Sequence, residues 1–352
     1  MRKIILFVFL CIVIPGIFLG GFEMLLRVFY PQNGELICID GKSVALNESV
    51  IGYVLRPNIH VTHKTPEFSV EYKVNKQGLR GEKTYARRRS NDVIRILLLG
   101  DSFTFGQGNS YENIWSASFE KKLREKGYSV EVVNAGVQGY DTLEEVLCLE
   151  KIWSQYNPDI VVIAFLPNDL MGNVTGEAHR QKKATVITKD ELQQHLHITA
   201  LTRRLLLSND YIYSYLYSNM GRADKFSSIL SKDIQQKIFN TEDLLDRAFN
   251  FCLSKKSVFL VLSIPQQFQV LVKANSFKFE NIDVSNIDTL FSQFAKNRFL
   301  WISSLDILTK EYCSKKKDLY FRYDGHLSKR GNDILSNFFA EEVSLLLEDF
   351  KK

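Results

Sequence analysis

Apolar and polar positions alternate along this chain in several distinct rhythms, and each rhythm predicts an element. From Ile4 to Phe22 about nineteen residues pass without a charge, which matches the span of a bilayer core. Pro15, Gly16, Gly20 and Gly21 are tolerable in a membrane helix. Arg2 and Lys3 precede the run, no Ala-x-Ala cleavage site follows it, and apolar residues continue through Met24-Leu25-Leu26. An uncleaved signal anchor over 1–27 is expected, contacting lipid through residues 4–26. Its amino terminus would be cytoplasmic and the remaining residues outside the cell membrane, in a single pass.

Between 28 and 92 the pattern is that of a linker and a small β element. Phe68 to Val74 alternates with period two, and Asn75, Gly78 and Gly81 break it. From residue 93 to 350 short apolar runs alternate with helical patterns, the signature of an α/β fold with a mainly parallel sheet. Ile94–Leu99, Val130–Val133, Ile160–Phe165 and Val258–Ser263 read as strands, and Leu319–Phe321 as a short edge strand. Helices are expected near 112–126, ending at Gly127, and from Asp141 to about Gln155, opened by the capping box Asp141-Thr142-Leu143-Glu144. Two more are expected near 241–254 and 332–348. Residues 170–240 fit the alternation poorly and read as a cap-like insertion: a polar loop (170–188), a helix (190–207) and a tyrosine-rich segment, Tyr211–Tyr217. There period two argues strand and the leucine spacing upstream argues helix, so both stay open.

Composition changes this picture little. Of 352 residues 45% are apolar, and 45 basic against 40 acidic side chains leave a formal charge of +5. That is ordinary globular composition. The one basic knot, Arg87-Arg88-Arg89, reads as a solvated loop, so no nucleic-acid partner is expected. Five cysteines form no Cys-x-x-Cys pair; Cys148 and Cys252 fall on apolar helix faces and read as buried hydrophobes. His195-x-His197 lacks a third ligand at suitable spacing, and His60-x-x-His63 lies in strand-like sequence. Neither a metal nor an organic cofactor is called for.

The candidate chemistry sits at strand ends. The first strand stops at Gly100-Asp101-Ser102, the second at Asn134-Ala135-Gly136-Val137-Gln138-Gly139, and the third at Leu166-Pro167-Asn168-Asp169. Tyr323-Asp324-Gly325-His326 precedes the last helix. In a parallel sheet the carboxyl ends share one edge, so these four segments can converge. Together they hold what acyl transfer needs. Ser102 supplies a nucleophile, His326 a base to take its proton, and Asp324 a carboxylate to orient the imidazole. Backbone N–H groups of Ser102 and a loop glycine, with the Asn168 amide, supply donors for an oxyanion. Asp101 is expected to organise the nucleophile turn. The phosphate-loop ending Gly-Lys-Ser/Thr and the Gly-x-Ser-x-Gly elbow are both absent around Ser102.

These four blocks, in this order, resemble the SGNH (GDSL) hydrolase family, esterases and acyltransferases with a three-layer, flavodoxin-like sheet. The resemblance covers roughly residues 90–350. It implies that Ser102 is the nucleophile, that Gly139 rather than Gly136 gives the second oxyanion N–H, that Asn168 gives the third donor, and that Asp324 and His326 complete the triad. Two departures stand out. The family's commoner last block is Asp-x-x-His, whereas this chain has Asp-x-His; and Leu166-Pro167 replaces the usual glycine before Asn-Asp. The anchor and preceding β segment are similar to those of membrane-tethered members.

The function expected is a membrane-anchored serine esterase or deacylase that works through a covalent acyl-enzyme on an acyl ester or an acylated glycan. Two alternatives stay open. The same triad would serve an O-acyltransferase modifying envelope glycans, and a catalytically inactive, membrane-tethered scaffold domain could retain the same fold.

Overall fold

Ile94–Gly100 (β6) carries branched apolar residues on both sides of the strand, and such a strand is stable only when covered on both faces. The computed structural model describes residues 7, 9–31, 35–38, 44–87, 92–173, 196–315 and 318–349, and gives β6 that cover. It lies inside a five-stranded sheet of order β10-β9-β8-β6-β7, in which every neighbouring pair is parallel. The other strands are β7 (Val130–Asn134), β8 (Ile160–Phe165), β9 (Val258–Ser263) and β10 (Leu300–Ser303).

Successive residues of each strand enter different cores, which makes the fold three-layered. Leu97, Leu99, Val161, Ile163 and Val261 face one core, shared with α4 (Thr142–Tyr156), α8 (Lys232–Ser254) and α10 (Asn286–Ala295). Ile96, Leu98, Val132, Val162 and Leu260 face the other, shared with α3 (Trp115–Glu125), α9 (Gln267–Ala274), α11 (Leu305–Lys315) and α12 (Lys329–Asp349). Each fully buried aliphatic side chain contributes about 1.5–3 kcal/mol relative to exposure. The charge in β6 is accommodated rather than exposed: the Arg95 guanidinium meets Glu131 and the carbonyls of Tyr156 and Ala86.

Several expectations change. The tyrosine-rich segment is a helix, α7 (Asp210–Asn219), opened by the Asn209 side chain, which accepts from Tyr211 and Ile212 N–H. Helix α6 (His197–Leu207) replaces the expected 190–207, of which 190–195 lie outside the described residues. Helix α8 begins at Lys232 rather than 241, because Ser231 caps it. Tyr320 forms only a bridge to Leu327, not a strand. Sequence reading missed β10, α9, α10 and α11 altogether.

The segment before β6 holds two small antiparallel sheets. One joins β1 (Glu35–Cys38), β4 (His60–Lys64) and β5 (Ser69–Lys73), and the other joins β2 (Ala45–Glu48) and β3 (Gly52–Leu55). Near the amino end, a π-helical turn Phe9–Val13 runs into α1 (Ile14–Phe29). Among the described residues this is the one helix, 21 residues from Phe9 to Phe29, long and apolar enough to cross a membrane. Its buried acid has a partner. Glu23 accepts the N–H groups of His197 and Ile198, both at 2.9 Å, and so caps the amino end of α6, where free N–H groups favour a carboxylate.

Candidate active site

Gly100 ends β6 and the chain turns at once into a single helical turn, α2 (Ser102–Phe105). Asp101 caps it: Oδ1 accepts the Phe103 N–H at 2.8 Å. Ser102 is therefore the first residue of a helix, and its own N–H has no helical acceptor.

The loop that carries the candidate base closes on itself. Phe321 N–H donates to the His326 carbonyl at 2.8 Å, and Gly325 N–H donates to the Phe321 carbonyl at 2.9 Å. Between Asp324 and His326, Gly325 adopts φ +85°, a conformation that only glycine enters without strain. That reversal brings the neighbouring side chains back together, and His326 Nδ1 lies 2.5 Å from Asp324 Oδ1. The short Asp-x-His spacing is thus accommodated by a left-handed glycine. His326 Nε2 lies 2.6 Å from Ser102 Oγ, and the imidazole rests against the Phe103 ring.

Asp324 is held from three sides. Burial works against its charge, but the hydrogen bond to His326, the imidazole's charge and the Gln107 amide outweigh it, so its pKa lies below the usual value. Gln107 Nε2 donates to Asp324 Oδ2 at 3.2 Å. From the β4–β5 turn, Glu67 accepts the Tyr323 N–H at 3.0 Å and the Asp324 N–H at 2.8 Å. Glu67 and Gln107 carried no sequence signal; each acts through a contact between segments remote in the chain.

Of the candidate oxyanion donors, Asn168 is tied directly to the nucleophile turn. Its Nδ2 donates to Asp101 Oδ2 at 3.4 Å, an oxygen that lies 3.5 Å from Ser102 Oγ. Where Leu166-Pro167 precedes Asn168, the turn is closed locally at the start of α5 (Asp169–Gly172): Leu166 N–H donates to Asp169 Oδ2 at 2.8 Å and Asp169 N–H to the Leu166 carbonyl at 3.0 Å. Gly139 lies on the loop after β7, which docks on the nucleophile turn through Val137 N–H and the Gly100 carbonyl at 3.0 Å. No hydrogen bond between Gly139 and Ser102 joins the two. Gly136, the other candidate, already spends its N–H on Asn134 Oδ1 at 2.9 Å. A Cβ there would fall 2.6 Å from the Phe105 nitrogen, so its role is close packing against α2.

Two acids sit beneath these groups. Burial pushes Asp101 up, and burial with the charges of Glu145, Asp101 and Asp141 pushes Asp169 well above the usual carboxylate range. Helix α6 flanks the site. A cleft of about 430 Å³ beside Asp324 is lined by Glu67, Arg203, Arg204 and Tyr323, and a groove of about 640 Å³ between α6 and α7 is lined by Leu206, Leu216, Met220 and Arg222.

His197 opens α6, and His195 lies outside the described residues. His63 Nδ1 meets Tyr72 Oη at 3.1 Å. No group of three or more His, Cys, Asp or Glu suited to a metal occurs among the described residues.

Comparison with known proteins gives the following. The profile of the GDSL-like Lipase/Acylhydrolase family matches residues 98–231. An arylesterase of Vibrio mimicus is 32% identical over 75 residues, 21% of this chain and 38% of that protein. The esterase TesA of Pseudomonas aeruginosa is 28% identical over 94 residues, 27% of this chain and 47% of that protein. The chain thus spans less than half the length of these curated relatives. Among solved structures, the psychrotrophic esterase EstA from Pseudoalteromonas sp. is similar with a TM-score of 0.44 at 14% identity, covering 72% of this chain and 98% of that one.

Proposed function

We propose that this chain is a serine-dependent acyl-ester hydrolase of the SGNH (GDSL-like) family, whose profile matches residues 98–231. The observation that carries the reading is the hydrogen-bonded line from Ser102 Oγ to His326 Nε2 at 2.6 Å and from His326 Nδ1 to Asp324 Oδ1 at 2.5 Å.

In this mechanism His326 takes the hydroxyl proton as Ser102 Oγ attacks the ester carbonyl. Asp324 holds the imidazole in the tautomer with Nδ1–H and stabilises the imidazolium that forms. The negative oxygen of the tetrahedral intermediate is met by the N–H groups of Ser102 and Gly139 and by Asn168 Nδ2. Each such donor supplies about 3–4 kcal/mol of transition-state stabilisation. His326 then gives its proton to the departing alkoxide, which leaves an acyl ester on Ser102. A water, deprotonated by the same imidazole, hydrolyses that ester and restores the serine.

The charge-free run Ile4–Phe22 would span the membrane, because about nineteen residues of helix rise roughly 28 Å, close to the thickness of the hydrocarbon core, with Glu23 and Arg27 at its outer edge. With Arg2 and Lys3 retained inside, the hydrolytic domain faces the outside, where acyl esters on envelope glycans are accessible substrates.

The test is steady-state hydrolysis of p-nitrophenyl acetate by the full chain in detergent. Ser102→Ala and His326→Ala are expected to lower kcat at least about 10³-fold. Equal rates for wild type and Ser102→Ala would overturn the reading. Product analysis with an added oligosaccharide separates the two acceptors: free acid means water, and an acylated oligosaccharide means transfer.

A further inference from the structure

The amide of Asn168 can sit either way round, and only its NH₂ side can donate to an oxyanion. A line of three side chains decides the matter. Lys225 is buried, and Nζ donates to the Arg222 carbonyl at 2.8 Å and to Tyr217 Oη at 3.3 Å. An ammonium has only protons to give. The Tyr217 hydroxyl, having accepted from Lys225, places its single proton on Gln266 Oε1 at 2.9 Å. That leaves Gln266 Nε2 facing Asn168 Oδ1, at 3.1 Å. Asn168 therefore turns Nδ2 toward Asp101 and Ser102. Asp101 Oδ2, 3.4 Å from Asn168 Nδ2, fits the same orientation from the other side.

We propose that Lys225, Tyr217 and Gln266 are positioning residues that hold the Asn168 amide donor-side inward, an assignment that rests on Asn168 serving as an oxyanion donor. Packing alone does not account for the line. A buried lysine is costly and could be replaced by an apolar side chain at less cost. The start of α9 is secured by a reciprocal capping box, in which Gln269 Oε1 accepts the Gln266 N–H at 2.9 Å and the Gln266 side-chain oxygen takes the Gln269 N–H, so that Gln266 Nε2 alone is left for Asn168. The Tyr217 ring is fixed by stacking on Phe268, centroids 4.3 Å apart, so its hydroxyl cannot wander. Burial pushes Lys225 down to about 8, which still leaves it protonated at neutral pH, and pushes Tyr217 up, so the phenol keeps its proton. Helix α7 thereby reaches from the segment expected to be a cap into the site itself.

The experiment measures kcat and KM on p-nitrophenyl acetate at pH 7 for the full chain. Gln266→Glu can still accept from Tyr217 but cannot donate to Asn168 Oδ1, so it pulls the amide over. Its kcat is expected to fall about 10²-fold, like Asn168→Ala, with KM within about twofold of wild type. Tyr217→Phe, nearly isosteric, removes the directing proton and is expected to lower kcat about fivefold. Placed on Asn168→Ala, neither substitution lowers kcat further. The relay is overturned if Gln266→Glu keeps wild-type kcat, or if both substitutions cost as much without the Asn168 side chain as with it. A wild type no faster than Ser102→Ala overturns the hydrolase reading instead, and with it the role assigned to Asn168.

Discussion

Glu67 and Asp324 stand 257 positions apart in the chain, yet the Glu67 carboxylate accepts the Asp324 N–H at 2.8 Å. The same carboxylate takes the N–H of Tyr323. A turn of the small β element thus clamps the loop that carries the proposed triad acid, and the element before β6 is part of the site's support.

Removing the clamp has a definite expected cost. Glu67→Ala leaves two backbone N–H groups to water beside a cleft, so the penalty sits near the low end for charged hydrogen bonds. A fall of about 1 kcal/mol is expected, roughly fivefold in kcat, while Glu67→Gln, which keeps one acceptor, loses less. Kinetics on both variants check this. Wild-type kcat in Glu67→Ala would mean that the loop holds its shape unaided.

Gly325 tests the link between backbone and dyad. A methyl group there would lie 3.8 Å from Gln267 Oε1, an ordinary contact, so crowding is not the obstacle. The φ of +85° is. An L-residue in the left-handed region costs about 1–2 kcal/mol. Gly325→Ala is expected either to lose that much stability or to relax the loop and lose kcat, read by thermal melting alongside hydrolysis. Neither loss would mean that the dyad does not depend on the left-handed turn.

The buried acids give pH dependences of opposite sign. Asp169 has its pKa raised, by burial first and then by Glu145, Asp101 and Asp141. The folded state therefore binds a proton that the unfolded chain has lost. This stability is complete below the unfolded carboxylate value and disappears as pH rises through the folded one. Asp169→Asn is expected to shift the urea midpoint upward relative to wild type between pH 4 and pH 8, with the gap widening as pH rises. Asp324 has its pKa lowered, so its contribution is present above the unfolded value and is lost as pH falls through the folded one. Asp324→Asn should accordingly cost stability at pH 7 and little at the acid extreme. Parallel urea titrations at the two ends of the range decide both; gaps that do not change with pH would contradict them.

Much of the sheet was legible because its strands are buried on both faces. Ile94–Gly100 and Ile160–Phe165 are unbroken apolar runs, and the capping box at Asp141 marked the start of its helix without ambiguity. Ser102 was visible at the end of such a run and Asp324 and His326 as a polar block just before the last helix, and they lie within hydrogen-bond reach of one another. The edge strand β10 escaped notice because it is four residues long and only partly buried. The tyrosines of α7 left strand and helix undecided by alternating in sequence, while Tyr213 and Tyr217 pack one helical turn apart. Glu67 and Gln266 were invisible for a different reason. Their partners are backbone N–H groups and an amide brought in from distant segments, and no local pattern encodes such contacts.

The central claim is that Ser102 is made nucleophilic by His326. Its most direct test is reaction of the full chain with a fluorophosphonate at pH 7, followed by peptide mass spectrometry. The account predicts one adduct, on Ser102, absent from Ser102→Ala and formed far more slowly in His326→Ala. Folded wild-type protein that stays unlabelled, or an adduct carried by any other residue, would contradict it.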